Sequence, residues 1–226
     1  MQKFDTPAPV SAVLDVPAGR IQVIAADRAD TTVEIVPADA SKGRDVKLAE
    51  QATVEYADGV LQVRASAKTK SQILGPSGSI EVTIQLPAGS HIQAKAAAVE
   101  FRGVGRLGDV ALDGAYGKQE AIKLEDAASV RLTAHAGDIT VGRLGGPARI
   151  TTSKGDIAIA EAVGGALVLR TEMGDVTVDA AHGVCASLDA GTTYGRIRNA
   201  LKNTDGTADL TIHATTGHGD ITARSL

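Results

Sequence analysis

Three aspartates recur at nearly equal intervals, and their spacing is the clearest candidate for chemistry in this chain. Asp138, Asp156 and Asp175 each follow a glycine and precede isoleucine or valine. At equivalent corners of stacked strands about 5 Å apart, their carboxylates would repel one another unless water or a cation lay between them. Oxygen ligands suit calcium, but the nine-residue repeat of the calcium-binding β-roll is absent. We therefore favour solvated turn aspartates over a cation ladder and predict no metal site.

Histidine and cysteine chemistry has little support in the sequence. The single cysteine, Cys185, has no second cysteine and no recognisable histidine base nearby, so we expect a packed thiol rather than a nucleophile. The five histidines lack a metal-ligand spacing such as a helical His-x-x-x-His, and we interpret them as surface or turn residues. They are His91, His135, His182, His213 and His218. We predict no bound cofactor.

An enzyme that acts on glycans on a β-helix is the main alternative from another class. Such an enzyme needs clustered carboxylates beside a groove, and sugar grooves usually offer aromatic platforms. Only 2% of the residues are aromatic and tryptophan is absent. Tyr116 and Tyr194 each precede a repeat glycine but lie far apart in the repeat. We therefore predict a protein that is not an enzyme.

A column of threonines offers a further polar stripe. These residues stand three positions before successive glycines, and a ligand-binding role is conceivable. We favour a structural stack in which each hydroxyl bonds to a neighbouring coil. The column consists of Thr152, Thr171, Thr192 and Thr216.

All of these residues are positioned by a glycine-centred repeat. The spacing of 18 to 24 residues indicates one structural unit stacked several times. Apolar or small residues alternate with polar ones on both sides of each glycine, which predicts strand, tight turn and strand. A glycine at the turn adopts positive φ at the least steric cost. The predicted corners are Gly117, Gly137, Gly155, Gly174, Gly195 and Gly219.

Residues 1–90 lack this repeat but also indicate β-structure. Asp58-Gly59 lies between two alternating segments and predicts a hairpin. A short helix is expected from Asp45 to Gln51, and a polar loop from Lys68 to Gly78. The fold class is therefore all-β: a parallel β-helix-like solenoid of about six short coils over residues 91–226. Residues 1–90 form an N-terminal β-sheet cap, within one continuous domain.

The composition of the chain limits the classes of binding partner and the cellular compartment that we expect. The net charge is −4, so a basic patch for nucleic acid is not expected. The N-terminus lacks the apolar core of a signal peptide, and no stretch approaches about 20 apolar residues. We expect a cytoplasmic protein without direct membrane insertion.

The chain resembles the bacterial β-strand-repeat family of unknown function, also called the toastrack or adhesin-like family. The resemblance rests on Phe4-Asp5-Thr6-Pro7, on Val82 to Gly89, on the Gly-Asp-Ile/Val repeats and on Tyr194 to Asn199. It implies a right-handed solenoid that acts as an assembly or interaction domain, in some relatives beside cell-envelope stress or transport systems. It supplies no catalytic residues.

We therefore expect a non-enzymatic interaction or scaffold protein, with an adhesin-type binding module as a further alternative. The chain ends seven residues after the last repeat glycine, which predicts an open solenoid end there. We expect this edge, with Leu210, Ile212 and Ile221, to bind an unidentified protein partner or a second copy of the chain.

Overall fold

The computed structural model describes residues 1–65, 78–115, 121–203 and 207–226. Its repeat region consists of pairs of a longer and a shorter strand that meet at a glycine corner, as the alternation of apolar residues predicts. The first of the predicted corners, Gly117, lies outside the described residues, as does the predicted polar loop apart from Gly78. The strands are β8 (Ile122–Ala136), β9 (Ile139–Leu144), β10 (Ala148–Lys154), β11 (Ile157–Ala162), β12 (Gly165–Met173), β13 (Val176–Ala180), β14 (Ala186–Tyr194), β15 (Ile197–Ala200), β16 (Leu210–His218) and β17 (Ile221–Ser225).

The coils stack in parallel, which confirms the all-β solenoid. In the long-strand ladder, Ile150 of β10 lies between Leu132 of β8 and Leu169 of β12. In the short-strand ladder, Ile157 of β11 lies between Ile139 of β9 and Val176 of β13. These side chains point inward and are 0–1% exposed. The interior is therefore a narrow column of aliphatic residues, one layer per coil.

The N-terminal part joins the same stack. The strand β2 runs parallel to β7, and it bends at Gly19 much as the later coils bend at their corners. The hairpin at Asp58-Gly59 and the helix α1 (Gly43–Gln51) occur where the sequence predicts them. The strands of this part are β1 (Gln2–Asp5), β2 (Ser11–Ala26), β3 (Asp30–Pro37), β4 (Thr53–Ala57), β5 (Val60–Arg64), β6 (Ile80–Pro87) and β7 (His91–Ala115).

Antiparallel strands close this end of the solenoid. Here β5 and β6 lie parallel to the two halves of β2, and each is covered by an antiparallel neighbour. The strand β4 covers β5, while β3 and then β1 cover β6. The outermost strands at this end are therefore β4 in one ladder and β1 in the other.

The order of the coils at the other end differs from their order in the chain. The strand β16 pairs in parallel with β12 on one side and with β14 on the other. Likewise β17 lies between β13 and β15. The coil nearest the C-terminus, which we call the inserted coil (β16–β17), therefore lies inside the stack. The coil formed by β14 and β15, which we call the terminal coil, is the last one.

This order corrects the predicted interaction edge. Leu210, Ile212 and Ile221 are at most 1% exposed, because the inserted coil has a neighbouring coil on both sides. The expectation that the last coil in the chain forms the open end is wrong. The predicted edge belongs instead to the preceding coil.

Candidate interaction site

The aspartates after the corner glycines form a hydrogen-bonded column. Each carboxylate accepts a bond from the backbone N–H at the equivalent corner of the next coil. Asp138 Oδ1 accepts from Asp156 N at 3.0 Å, and Asp156 Oδ1 accepts from Asp175 N at 2.8 Å. Asp175 then accepts from Asp220 at 2.7 Å, and Asp220 from Arg196 at 2.9 Å. Asp138, Asp156 and Asp175 are exposed and Asp220 is half-buried. These carboxylates satisfy the corner N–H groups, a role that the sequence did not reveal.

The column ends at an arginine, and the position of this residue in the stack explains why. Arg196 belongs to the terminal coil, beyond which no coil lies among the described residues, so no further N–H needs a carboxylate. An arginine in place of aspartate at this corner therefore leaves no neighbouring coil without its acceptor. The change from aspartate to arginine was a signal for the end of the stack, but Lys118 follows the predicted corner glycine Gly117 in the same way, so the signal did not single out this coil.

The glycines of the corners are required by close packing as well as by backbone conformation. A Cβ atom on Gly174 would lie 2.1 Å from the carbonyl oxygen of Gly155, and one on Gly219 would lie 2.0 Å from that of Gly174. Gly195 shows the same contact with Gly219, at 1.9 Å. Any side chain at these corners would push two coils apart.

Three of the four threonines of the column bond to a neighbouring coil, as the favoured interpretation held, whereas Thr152 donates to Lys154 O of its own strand at 3.4 Å. Thr171 donates its hydroxyl to the carbonyl oxygen of Gly155 at 3.1 Å, and Thr216 donates to that of Gly174 at 2.9 Å. Thr192 of the terminal coil donates to Gly219 at 3.0 Å. These hydroxyls are occupied in joining successive coils at their corners.

The terminal coil exposes inward-facing aliphatic positions that the neighbouring inserted coil buries. Ile197 is 46% exposed, whereas Ile221, its neighbour in the short-strand ladder, is 1% exposed. Leu188 is only partly buried, and all four residues of β15 are exposed. Tyr194, at 67% exposed, stacks on the ring of His218 with centroids 4.8 Å apart. Exposed aromatic and aliphatic side chains thus gather at one end of the solenoid.

Unpaired backbone groups accompany these side chains. No strand among the described residues pairs with the outer side of β14 or β15. Ile221 N donates to Arg196 O at 2.9 Å, so the alternation of a parallel ladder directs the N–H and C=O groups of Ile197 and Asn199 away from β17. In the part of the chain that the structure describes, Ala186 N at the start of this edge donates to Lys202 O at 3.4 Å.

The two arms of the terminal coil carry different charges. On β15 and just after it, Arg196, Arg198 and Lys202 are exposed, and none forms an ion pair within the described part of the chain. On β14, Asp189 is paired with His213 at 3.1 Å. The surface around β15 is therefore cationic.

The inserted coil is anchored by an ion pair with the coil before it. Arg224 donates two hydrogen bonds to Asp179, at 2.8 and 2.7 Å, and the carboxylate side chain is only 9% exposed. The hydrogen bonding and the negative charge of Asp179 raise the pKa of Arg224. This bidentate pair fixes β17 against β13 and so helps to hold the terminal coil outermost.

The other candidate residues lie at separate places in the fold. His91 and His213 each lie beside a single aspartate, and Cys185 is buried before β14. Within the described ranges, no group of three or more histidine, cysteine or acidic residues is arranged to hold a metal ion. The same ranges contain no helix that is both long and apolar enough to cross a membrane.

A small apolar pocket opens between Ile21, Phe101, Leu112 and Ile122. Among the described residues that line it, the polar side chains are those of Asp113 and Thr133, which do not form a convergent set that would orient a substrate. We assign no ligand to this pocket.

Known proteins similar to this chain share low sequence identity with it. An adhesin candidate from Parabacteroides distasonis is 14% identical with a TM-score of 0.48, covering 98% of this chain and 95% of its own. A candidate lipid-binding protein from the same species is 12% identical with a TM-score of 0.43, with the same coverage. A candidate cell adhesion protein from Clostridium sporogenes is 12% identical with a TM-score of 0.38, covering 100% and 98%.

None of the curated proteins matches the chain in sequence. The sequence model of one family does match, and it spans residues 13–225, from the second strand to the last. The match therefore includes the corner glycines, the inserted coil and the terminal coil. The chain belongs to the Toastrack family, DUF4097.

Proposed function

We propose that this protein is a non-enzymatic interaction module that binds a partner protein at the terminal coil of its solenoid. The observation that carries the proposal is the contrast between Ile197, 46% exposed, and Ile221, 1% exposed, at equivalent positions of adjacent coils. A partner that adds a strand here would cover Ile197 and satisfy the unpaired backbone groups of β15. Tyr194 and the arginines beside it are residue types enriched at binding hot spots.

The family resemblance suggests the setting of this interaction. Some relatives accompany cell-envelope stress or transport systems, and we propose a protein of such a system as the partner. The names of the adhesin candidates agree with a binding role of the same general kind. The absence of a groove lined by aromatic residues and clustered acids in the described residues favours this function over a glycan-acting enzyme.

Site-specific photocrosslinking in cells that naturally make the protein tests the proposal. A photoreactive residue at Ala200, at the end of β15, should crosslink to a discrete protein partner. The same residue at Ala158, on the outer face of an internal coil, should not. Equal crosslinking from both positions would contradict binding at the terminal coil.

An edge-blocking variant makes the test specific. Ile197→Pro removes an N–H that points away from the stack, so the fold should tolerate it while strand addition is blocked. The matched control is Arg198→Pro, which removes an N–H directed at β17 and should lower the melting temperature. Crosslinking from Ala200 should disappear in Ile197→Pro, and its persistence would refute strand addition.

A further inference from the structure

The charge of β15 sets it apart from the short strands β9, β11, β13 and β17. At the position of Arg196, the internal corners carry Asp138, Asp156, Asp175 and Asp220. At the position of Arg198, these short strands carry Thr140, Ala158, Thr177 and Thr222, whereas nearer the N-terminus the same register holds Lys123 of β8 and Arg102 of β7. Two cations at alternate positions therefore occur on β15 and not on β9, β11, β13 or β17, and they lie on the outer face of the strand.

We propose that the open edge of β15 accepts an extended acidic segment of the partner protein, with carboxylates at alternate positions that face Arg196 and Arg198. This inference rests on the proposed function and adds the chemistry of the partner. Side chains at alternate positions of a strand lie on the same face, and their spacing is the same on two neighbouring strands. Two carboxylates of the partner strand can therefore face the two guanidinium groups of β15 at once. The partner residue between them would point inward and cover Ile197.

A second copy of this chain is a poorer occupant because its charges do not complement this end. If another copy continued the stack in the same direction, Asp189 of β14 would approach Glu55 of the outermost strand β4. By the register of the short-strand ladder, Arg198 would lie opposite Met1, just before the other outermost strand, β1, and two residues before Lys3, so no carboxylate of β1 would face it. If two terminal coils faced each other, the cationic residues of both would share one interface. Like charges in contact oppose each of these arrangements.

Binding of synthetic peptides to the full chain tests the proposal. The probes are three fluorescent ten-residue peptides. Every second residue is glutamate in the first, glutamine in the second and lysine in the third, and the residues between them are threonine and valine. Fluorescence anisotropy should show the glutamate peptide binding about tenfold or more tightly than the glutamine peptide, and the lysine peptide binding most weakly. Raising the salt concentration should reduce the preference for glutamate, because exposed charges are screened.

Charge reversal identifies the residues responsible. The variant Arg196→Glu/Arg198→Glu should prefer the lysine peptide. The matched control Arg131→Glu/Arg149→Glu makes the same change in net charge on exposed positions of the long-strand ladder, and it should keep the preference for glutamate. Equal binding of the glutamate and glutamine peptides to the unaltered protein would overturn the inference. So would an equal loss of preference in the control variant.

A different outcome would show that the arginines only prevent other strands from pairing with the open edge of β15. In that case no peptide would bind the unaltered protein, and Arg196→Ser/Arg198→Ser would bind the glutamine peptide or self-associate in light scattering. That result refutes an acidic partner. If crosslinking from Ala200 still depends on Ile197 while the peptides show no charge preference, the proposed function stands and the acidic partner does not.

Discussion

The carboxylate of Asp220 accepts a hydrogen bond from the backbone N–H of Arg196, a residue that precedes it by 24 positions. In the rest of the column, each aspartate accepts from a residue that follows it in the chain. This one reversed bond marks the place where the order of the stack departs from the order of the sequence. It also identifies Arg196, and not Asp220, as the last member of the column.

Replacing a corner glycine should separate two coils. In Gly174→Ala, the new Cβ would lie 2.1 Å from the carbonyl oxygen of Gly155, and the backbone φ of +147° is unfavourable for alanine. We expect a loss of more than about 3 kcal/mol in the free energy of unfolding. Gly191→Ala is the control, because a Cβ there meets nothing within 4 Å. Denaturant titration compares the two, and similar midpoints would refute the packing argument.

The aspartate column and the core should respond differently to substitution. Ile157→Asp places a charge at a site that is 1% exposed and should cost several kcal/mol. Asp156→Ala removes the acceptor for Asp175 N–H and should cost about 1 kcal/mol. Asp156→Asn keeps an acceptor oxygen and should be nearly neutral.

Chemical denaturation followed by circular dichroism measures all three variants. If Asp156→Ala is as stable as Asp156→Asn, the hydrogen bond between coils contributes nothing measurable. If Ile157→Asp is as stable as either, the assignment of the inner face is wrong.

Loss of the ion pair between Arg224 and Asp179 should loosen the end of the stack selectively. In Arg224→Gln the carboxylate of Asp179, with a side chain 9% exposed, loses both of its charged hydrogen bonds. Hydrogen exchange with mass spectrometry should show faster exchange in β17 and β15, with little change in β10 and β11. The double variant Asp179→Asn/Arg224→Gln should exchange more slowly than the single one. Uniform acceleration throughout the chain would contradict local anchoring.

The first strand should be released at low pH. Hydrogen bonds from Arg28 and then Lys3 lower the pKa of Asp30 to about 2. Because the folded state favours the ionised carboxylate, its stabilising effect is present above the ordinary carboxyl pKa of about 4. It is lost as the pH falls from about 4 to about 2.

Exchange of the β1 amides measured against pH checks this prediction. In the unaltered protein their protection should decrease across that window, beyond the change in intrinsic exchange rate. In Asp30→Asn the protection should be lower already at pH 7 and should change less with acidification. Arg28→Gln should shift the window toward higher pH, and an unchanged profile would show that Asp30 does not hold β1.

The sequence predicts the coil better than the arrangement of coils. Glycine corners, inward-facing residues such as Ile157 and the hairpin at Asp58-Gly59 follow from local rules of turn conformation and alternation. The order of the stack does not, because the long strands of different coils share one pattern. Thr171, Thr192 and Thr216 occupy the same register, so local pattern alone does not decide which coil lies beside which. The site was misplaced for this reason, and Arg196 alone did not reveal it, because Lys118 also follows a repeat glycine.

The inserted coil also constrains how the protein is made. During synthesis from the N-terminus, the residues of β14 and β15 emerge before those of β16 and β17. The final order therefore cannot grow coil by coil behind the advancing chain. The position between β12 and β14 has to stay open, or be reopened, until β16 and β17 have been synthesised. Completion of this fold thus requires a late insertion, and a chain without β16 and β17 would lack an internal layer rather than an end.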